Sequence, residues 1–316
     1  MKTKIDIISG FLGSGKTTLI KKLMDNEFKD EKIAIIENEF GEISIDGAIL
    51  EAKNVDIKEI NSGCICCSLV GDFKEAIKEI VDNYNPDRII IEPSGVAKLS
   101  DVIKACRGID NDLGDNINMV ITVVDAWKAK MYLKNFGEFY KDQIRNGKII
   151  VLTRTQRLES DRLEEIINSI KFINSEATII KESIDEINFN NIEYIKEKKS
   201  AETFKLVHRL NLKSYPKARR EKKHSADNIF SSWGGESLKI FTEKELESIF
   251  EKIEDKDEYG IILRAKGIVK GKNEKWIEFH YVPMELNMSL AKVQSSSKVC
   301  VIGKGINKDK LQSLFL

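Results

Sequence analysis

The sequence has no excess charge of either sign, because its 51 Lys and Arg residues equal its 51 Asp and Glu residues. With a formal net charge of zero, the chain has no overall field that attracts nucleic acid or an anionic membrane surface. It also lacks any apolar run near the roughly 20 residues that a transmembrane helix needs. The basic stretch ARREKKH at 218–224 is short and has no interleaved aromatics, which indicates a solvated loop. We therefore expect no nucleic-acid partner and no membrane partner.

Targeting signals and cysteines are scarce as well. The first residues run straight into a predicted strand, so we expect no signal peptide and a cytoplasmic location. Only five cysteines are present, and in the cytoplasm they are expected to be thiols. The length of 316 residues suggests about two domains, and the 41% hydrophobic content is ordinary for a globular protein.

The most informative segment is GFLGSGKTT at 10–18, which fits G-x-x-x-x-G-K-[ST] at Gly10, Gly15, Lys16 and Thr17. In such a loop the backbone N–H groups surround the phosphates of a nucleotide, the lysine reaches the β and γ phosphates, and the threonine hydroxyl holds Mg²⁺. An ordinary glycine-rich turn is the alternative. The flanks disfavour it, because a strand pattern precedes the loop and a helical pattern follows it. The residues predicted to bind the phosphates are Gly13, Ser14, Gly15, Lys16, Thr17 and Thr18.

The first half of the chain alternates strand patterns with amphipathic helical patterns, for example at 72–83 and 161–170. This alternation predicts an α/β fold, the largely parallel sheet of a P-loop NTPase. Ligands of such sheets bind outside the carboxyl ends of the strands. The predicted strands are 5–9, 33–37, 56–60, 88–92, 119–124, 149–152 and 177–181.

The pattern changes near residue 195, where the charged stretch IKEKKSAE indicates a linker. We therefore divide the chain into a nucleotide-binding domain at 1–195 and a smaller α+β C-terminal domain at 196–316. The second domain's patterns are strands at FKLVHRLNL, IILRAKGIVKG, KWIEFHYV and SKVCVIGKGI, and helices at FTEKELESIFEKI and NKDKLQSLF.

Three of the five cysteines, Cys64, Cys66 and Cys67, lie in one short loop after a predicted strand. Thiolates bind soft ions such as Zn²⁺ or Cu⁺, whereas burial as small apolar side chains and a redox pair are the alternatives. The spacing is tighter than the C-x₂-C of a structural zinc site, which favours an incomplete site that acquires and releases its metal. Glu37, at the end of the second predicted strand, is the candidate for a further ligand.

Carboxylates follow other strands of the predicted sheet. Glu39, Glu42 and Asp46 lie in a segment that often moves with the γ-phosphate in nucleotide-binding sheets, although a solvated acidic loop is the alternative. Glu92 ends the strand 88–92 before a sharp EPSG turn, where it would approach Mg²⁺ directly or through water. Asp125 lies at the end of the next strand, and its interpretation as a helix N-cap is the alternative to a role in the site.

The segments GFLGSGKTT, ENEFGEISIDG, GCICC and EPSG resemble, in order and spacing, the CobW-like family of P-loop GTPases, which is related to the GTPases that mature urease and hydrogenase. ILRAKGIV at 262–269 and CVIGKGI at 300–306 resemble that family's C-terminal domain. The resemblance implies Mg²⁺-dependent GTP hydrolysis coupled to delivery of Zn²⁺ or another transition metal to a client metalloprotein. It implies that the C-x-C-C motif at Cys64, Cys66 and Cys67 holds this metal. We also consider a nucleotide-dependent homodimer.

The chain departs from the family at two places. The family reads guanine with an Asn-Lys-x-Asp run, where this chain has Thr153, Arg154, Thr155 and Gln156. Because the Gln156 amide offers one carbonyl to two guanine donors, guanine preference should weaken, and ATP stays open as a substrate. Arg154 can still stack on the base. Many members carry a histidine-rich loop, but this chain has only three histidines, and we assign none of them to metal.

Three classes of function stay open. A GTPase metallochaperone would load a metal into its client, with hydrolysis loosening the thiol site. A reactivase would remodel a cofactor-bearing enzyme, such as a corrinoid protein, and use the thiols as a sensor. A nucleotide-dependent binding switch would use the thiols structurally. In each class we expect slow unstimulated turnover, because no obvious glutamine follows the third predicted strand to position water.

Overall fold

The computed structural model of the chain describes residues 3–37, 56–59, 70–107, 117–184, 186–187, 229–272 and 275–316. These residues form two sheets, a parallel sheet of seven strands followed by an antiparallel sheet of five. The predicted boundary near residue 195 and the strand pattern FKLVHRLNL lie outside the described residues. The division at residue 195 therefore stays a prediction.

The first sheet contains all seven predicted strands, with ends shifted by at most two residues. They are β1 (Lys4–Gly10), β2 (Ile33–Glu37), β3 (Asp56–Glu59), β4 (Arg88–Glu92), β5 (Ile117–Asp125), β6 (Ile149–Thr153) and β7 (Thr178–Ile180). Their order is β3-β2-β4-β1-β5-β6-β7, and all neighbours are parallel. Because β1 is the central strand, the loop that follows it lies at the middle of the sheet's carboxyl edge.

Helices cover both faces of this sheet, as alternate residues of β1 show. The described helices of this part are α1 (Lys16–Asn26), α2 (Val70–Tyr84), α3 (Leu99–Arg107), α4 (Ala129–Asn135), α5 (Gly137–Asn146) and α6 (Ser160–Ile173). Ile8 belongs to one hydrophobic cluster with Leu19 and Leu23 of α1, whereas Ile7 belongs to another with Val102 of α3. Burial on both faces explains why β1 reads as an apolar run.

The part of the chain that forms the second sheet also contains three helices among its described residues, α7 (Glu243–Lys252), α8 (Lys256–Tyr259) and α9 (Lys308–Phe315). Its strands are β8 (Ser231–Ser237), β9 (Ile261–Lys270), β10 (Trp276–Val282), β11 (Glu285–Ala291) and β12 (Ser297–Lys304). The order is β11-β10-β9-β12-β8, and neighbours are antiparallel. Across all the described residues, no helix has both the length and the apolar character needed to cross a membrane. The predicted fold class, a P-loop NTPase α/β sheet followed by a smaller α+β unit, is confirmed.

Two strands of the second sheet, β8 and β11, have no counterpart among the predicted strands. β8 has the small and polar sequence SSWGGES, and only Trp233 supplies a large buried side chain, which stacks on Phe315 at 5.8 Å between ring centroids. β11 is an edge strand that is mostly exposed or half-buried. Neither strand therefore shows an apolar run.

One hydrophobic cluster joins the two sheets. Phe11, in the loop after β1, is fully buried and lies 6.3 Å from Phe230 between ring centroids. Leu263 of β9 and Ile302 of β12 belong to the same cluster. The second sheet therefore packs beside the loop in which the nucleotide site is predicted.

Candidate nucleotide site

The loop between β1 and α1 has the backbone geometry of a phosphate-binding loop. Gly13 and Gly15 have φ angles of 68° and 103°, which residues with a side chain rarely adopt. A Cβ at Gly10 would lie 2.4 Å from the carbonyl oxygen of Val123, so only glycine fits there. Helix α1 begins directly after the loop, and the N-terminus of a helix favours bound anions.

Three side chains predicted to be catalytic meet at this loop. Lys16 is 5% exposed, and its Nζ lies 3.5 Å from the carbonyl oxygen of Phe11 and 3.9 Å from Oε1 of Glu92. The Thr17 hydroxyl donates to the Glu92 carboxylate, with 3.3 and 3.4 Å to its two oxygens. Thr18 is exposed on α1. The structure thus brings an ammonium, a hydroxyl and a carboxylate together, and their catalytic roles stay predictions.

The turn after β4 fixes Glu92 beside the loop. A Cβ at Gly95 would lie 2.7 Å from the backbone nitrogen of Leu12, so the two backbones are in close contact. The Gln143 amide of α5 donates to the carbonyls of Gly95 and Ala97, at 3.1 and 3.0 Å. Gly95 indicates the turn in the sequence, whereas nothing in the sequence points to Gln143, because its contacts are tertiary.

Glu37 lies next to Glu92 at the carboxyl edge of the sheet. The two residues are register partners on β2 and β4, and Glu37 is also the partner of Glu59 on β3. Because register partners on parallel strands point to the same face, Glu37 and Glu92 share one face of the sheet. Glu37 is 5% exposed. Three neighbouring strands, β3, β2 and β4, therefore each end in a glutamate at this edge.

The predicted thiol site lies outside the described residues, as do the acidic residues after β2. Within the described parts of the chain, no three His, Cys, Asp or Glu side chains are grouped to hold a metal ion. Glu37 is thus the predicted transition-metal ligand that the structure describes, and the metal site stays a prediction. The residues outside are Cys64, Cys66, Cys67, Glu39, Glu42 and Asp46.

The segment after β6, predicted to read the base, also reaches the loop. The Thr153 hydroxyl donates to the carbonyl of Ser14 at 2.8 Å. Arg154, with a φ of 55°, donates through Nη1 to the carbonyl of Gly13 at 2.9 Å. Gln156 is exposed in the 3₁₀ turn Thr155–Arg157. Thr153 and Arg154 thus contact the loop directly, and the structure shows Gln156 on the surface beside them.

Asp125, at the end of β5, anchors Arg154. Its Oδ2 accepts from Nη1 of Arg154 at 2.9 Å, and its Oδ1 accepts from the backbone N–H of Lys128 at 3.1 Å. Helix α4 begins at Ala129 with Lys128 as its N-cap residue, so the interpretation of Asp125 as the N-cap is wrong. Burial raises the pKa of Asp125, and the nearby Arg154 and Lys128 oppose that rise. Its position at a strand's carboxyl end was the signal for a site role.

The described part of the chain contains two cysteines and one histidine. Cys106 and Cys300 are free thiols and belong to hydrophobic clusters. Burial raises the pKa of the Cys106 thiol to about 12, so it is protonated at neutral pH. His280 in β10 contacts Glu278, with 2.9 Å between Nε2 and Oε1.

Residues 4–181 match the CobW/HypB/UreG nucleotide-binding domain, and residues 230–316 match the cobalamin synthesis protein CobW C-terminal domain. The chain belongs to the CobW/HypB/UreG family. The family resemblance stated from the sequence is thereby confirmed. The first match includes the loop after β1, Glu37, Glu92 and Arg154.

Relatives of this CobW-family chain include two bacterial proteins. The zinc chaperone CobW of Sinorhizobium sp. is 30% identical over 199 residues, which are 54% of this chain and 55% of the relative. The zinc chaperone YjiA of Escherichia coli K12 is 33% identical over 174 residues, which are 51% and 52% of the two chains. The chain thus spans about half the length of the curated relatives it matches. The structure of the Zn(II)-bound YjiA GTPase from E. coli covers 99% of this chain and 98% of that chain, at 21% identity and a TM-score of 0.46.

Proposed function

We propose that this CobW-family protein hydrolyses GTP with Mg²⁺ and couples hydrolysis to the transfer of Zn²⁺, or a similar transition metal, to a client metalloprotein. The observation that carries the proposal is the meeting of Lys16, Thr17 and Glu92 at the glycine loop, beside Glu37. The names of the zinc-chaperone relatives support the metal as cargo. A cytoplasmic location and a nucleotide-dependent homodimer stay predictions.

The residues at the loop fit a magnesium ion. Mg²⁺ prefers hard oxygen ligands and is usually bound by one or two protein groups together with phosphates and water. The Thr17 hydroxyl and the Glu92 carboxylate, 3.3 Å apart, are such a pair. When bound there, Mg²⁺ would neutralise charge on the phosphate oxygens. The Glu92 carboxylate would bind the ion directly or through a water molecule.

The chain's own groups supply the remaining electrostatic stabilisation. The Lys16 ammonium is buried beside the loop, where a positive charge interacts strongly with phosphate oxygens. The loop amides from Gly13 to Thr18 add donors that need no reorganisation during the reaction. Because the Lys16 ammonium faces Glu92 at 3.9 Å, that carboxylate would help to orient it.

The cargo site we propose consists of Cys64, Cys66 and Cys67 with Glu37. Cys64 follows Glu59, the register partner of Glu37, by five positions, a length of chain that reaches at most about 18 Å. Thiolates and a carboxylate together suit Zn²⁺. Glu37 and Glu92 are register partners on adjacent strands. A shift of Glu92 when Mg²⁺ and nucleotide bind or leave would therefore act on Glu37, and through it on the cargo site.

The base preference depends on Arg154 and Gln156. The family favours GTP, whereas Gln156 lacks the carboxylate that pairs with guanine. Arg154 remains available to stack on either purine. We therefore propose GTP as the substrate, with ATP as the alternative that the experiment must separate.

Parallel titrations with GTP and ATP, each with and without Zn²⁺, test the proposal. We expect GTP to bind more tightly than ATP, and we expect the Zn²⁺ affinity to change when nucleotide is bound.

The triple variant Cys64→Ser, Cys66→Ser, Cys67→Ser should lose stoichiometric Zn²⁺ binding while it keeps nucleotide binding. Replacing the buried Cys106 with Ala is the matched control and should leave Zn²⁺ binding intact. Zinc retained by the triple variant would refute the thiol site, and nucleotide turnover without metal transfer to an apo-client would favour a reactivase.

A further inference from the structure

The two-residue turn between β10 and β11, Pro283–Met284, lies against the phosphate loop. Val282 and Glu285 flank it as the last register pair of the two strands. A Cβ at Gly13 would lie only 2.5 Å from Cγ1 of Val282. The second sheet therefore covers one of the residues that are predicted to bind phosphate.

Glu285 places a carboxylate among three cations of the first part of the chain. Its Oε2 lies 3.3 Å from Nε of Arg154 and 3.6 Å from Nζ of Lys128, and its Oε1 lies 3.4 Å from Nη2 of Arg157. The side chain is 16% exposed, so these ion pairs are partly shielded from water. Burial alone would raise the pKa of Glu285, but the three cations hold it below the ordinary value of 4.5. The carboxylate is therefore ionised at neutral pH.

Arg154 connects this carboxylate to the nucleotide site. Its guanidinium meets oxygen atoms from three separate segments, namely Gly13, Asp125 and Glu285. Its positive φ is a sparsely populated backbone state that persists only where surrounding contacts maintain it. Loss of the Glu285 charge would remove one of these contacts. It would also leave Lys128 and Arg157 without a shared counter-ion beside Arg154.

We propose that Glu285 is a positioning residue of the nucleotide site, which holds Arg154 against the phosphate loop from the second sheet. The inference rests on the proposed nucleotide binding. A nucleotide that binds in the loop would find Arg154 already oriented, so binding would cost less side-chain entropy. Because such coupling is reciprocal, bound nucleotide strengthens the contact between the two sheets by the same factor.

The test is a double-mutant cycle on the full chain, with fluorescent mant-GTP and mant-ATP as probes in the presence of Mg²⁺. Glu285→Gln is expected to weaken binding about three- to tenfold, the effect of losing one charged contact. In an Arg154→Ala background the same change should have no further effect, because Glu285 acts through Arg154. Glu285→Asp keeps the charge and should give an intermediate affinity. Glu236→Gln, an exposed carboxylate of β8 in the same sheet, is the matched control.

Each outcome decides between the alternatives. Equal affinities of wild type and Glu285→Gln would overturn the inference, and so would tighter binding by the variant, since the turn would then obstruct the site. If the loss of affinity in the double variant equals the sum of the losses in Glu285→Gln and Arg154→Ala, Glu285 does not act through Arg154 and its role is merely structural. If Glu285→Gln does not fold, the Glu285→Asp titration decides. If the wild type binds neither probe, the proposed function itself fails.

Hydrogen exchange gives the reciprocal measurement. Mant-GTP is expected to slow amide exchange around residues 282–285 in the wild type, and to slow it less in Glu285→Gln. Exchange there that is unaffected by nucleotide in the wild type would overturn the linkage between the sheets.

Discussion

The phosphate end and the base end of the candidate nucleotide site are built differently. We define the phosphate end as the loop 10–16 with Thr17 and Glu92, and the base end as 153–156 with Asp125 and Glu285. The residues of the phosphate end all come from segments of the first sheet, and close backbone contacts at Gly10 and between Gly95 and Leu12 help to determine its shape. The base end is joined by charged side chains from both sheets. Steric contacts without spare room are insensitive to pH and salt, whereas ion pairs respond to both.

This difference predicts which substitutions each end tolerates. At the phosphate end a small added group must displace backbone, so the stability of this end depends on volume, whereas its affinity for nucleotide depends on the Lys16 charge. At the base end side chains have room to adjust, so a change in charge matters more than a change in volume. The predictions below test that distinction, beginning with the change expected to have the greatest effect.

Lys16→Ala should cause the greatest loss, at the phosphate end. Removing a buried ammonium from the loop eliminates charge-assisted hydrogen bonds to phosphate, and nucleotide affinity should fall roughly a hundredfold. The measurement is a mant-GTP titration, together with a circular dichroism melt to show that the variant is folded. Lys21→Ala, on the same helix, removes the same charge away from the loop and should bind normally. Unchanged affinity of Lys16→Ala would refute the phosphate-loop assignment.

Gly95→Ala should have the next largest effect, and through shape alone. The added methyl would meet backbone atoms of Leu12 at 2.7 and 2.9 Å, so the loop must move. We expect a loss of about 1–3 kcal/mol in the free energy of unfolding, with weaker nucleotide binding. Urea unfolding and the mant-GTP titration measure the two effects.

Gly137→Ala is the matched control for that change. Gly137 begins α5, and an added Cβ would find only Cε of Lys141, at 3.8 Å. Alanine should therefore be neutral there, or stabilising by up to about 1 kcal/mol. Equal destabilisation by both alanines would show that the close contact between Gly95 and Leu12 does not shape the phosphate end.

Sequence patterns predicted the phosphate end and most of the fold because their signals are local. Strands β1, β2, β4, β5 and β6 are mostly buried and read as apolar runs, and the glycine loop lies within nine consecutive residues. Lys16, Thr17 and Glu92 could be assigned because parallel strands bring their carboxyl ends to one edge.

The base end could not be predicted in the same way, because its contacts join distant segments. Arg154 was identified as a base-site residue, but its partners Asp125 and Glu285 carry no motif that pairs them with it. Glu285 begins β11, an edge strand whose exposed pattern gives no strand signal. Such contacts depend on how the two sheets pack against each other. The sequence pattern of a single sheet does not show this packing.

The smallest expected effect concerns pH, and it separates the two ends most directly. Because the pKa of Glu285 in the folded protein lies below its ordinary 4.5, its contribution to stability is complete above that value and is lost as pH falls through the folded pKa. Glu285→Gln should lower the free energy of unfolding on the order of 1 kcal/mol at pH 7, a typical value for ion pairs that are partly solvated. This difference from the wild type should shrink as the pH is lowered from about 5 to 3.

Thermal melts of both proteins across that pH range supply the measurement. Asp125 also faces Arg154, and burial raises its pKa, so it takes up its proton at higher pH than is usual for an aspartate. Wild type and Glu285→Gln both keep Asp125, Lys128 and Arg157, so their difference reports mainly the titration of Glu285. A smaller part comes from Asp125, because the Glu285 charge also raises the pKa of that carboxyl. For Gly95→Ala the deficit in stability should instead be independent of pH, because the methyl clash involves no titrating group. A pH-independent deficit for Glu285→Gln would mean that packing, and not charge, joins the two sheets at the base end.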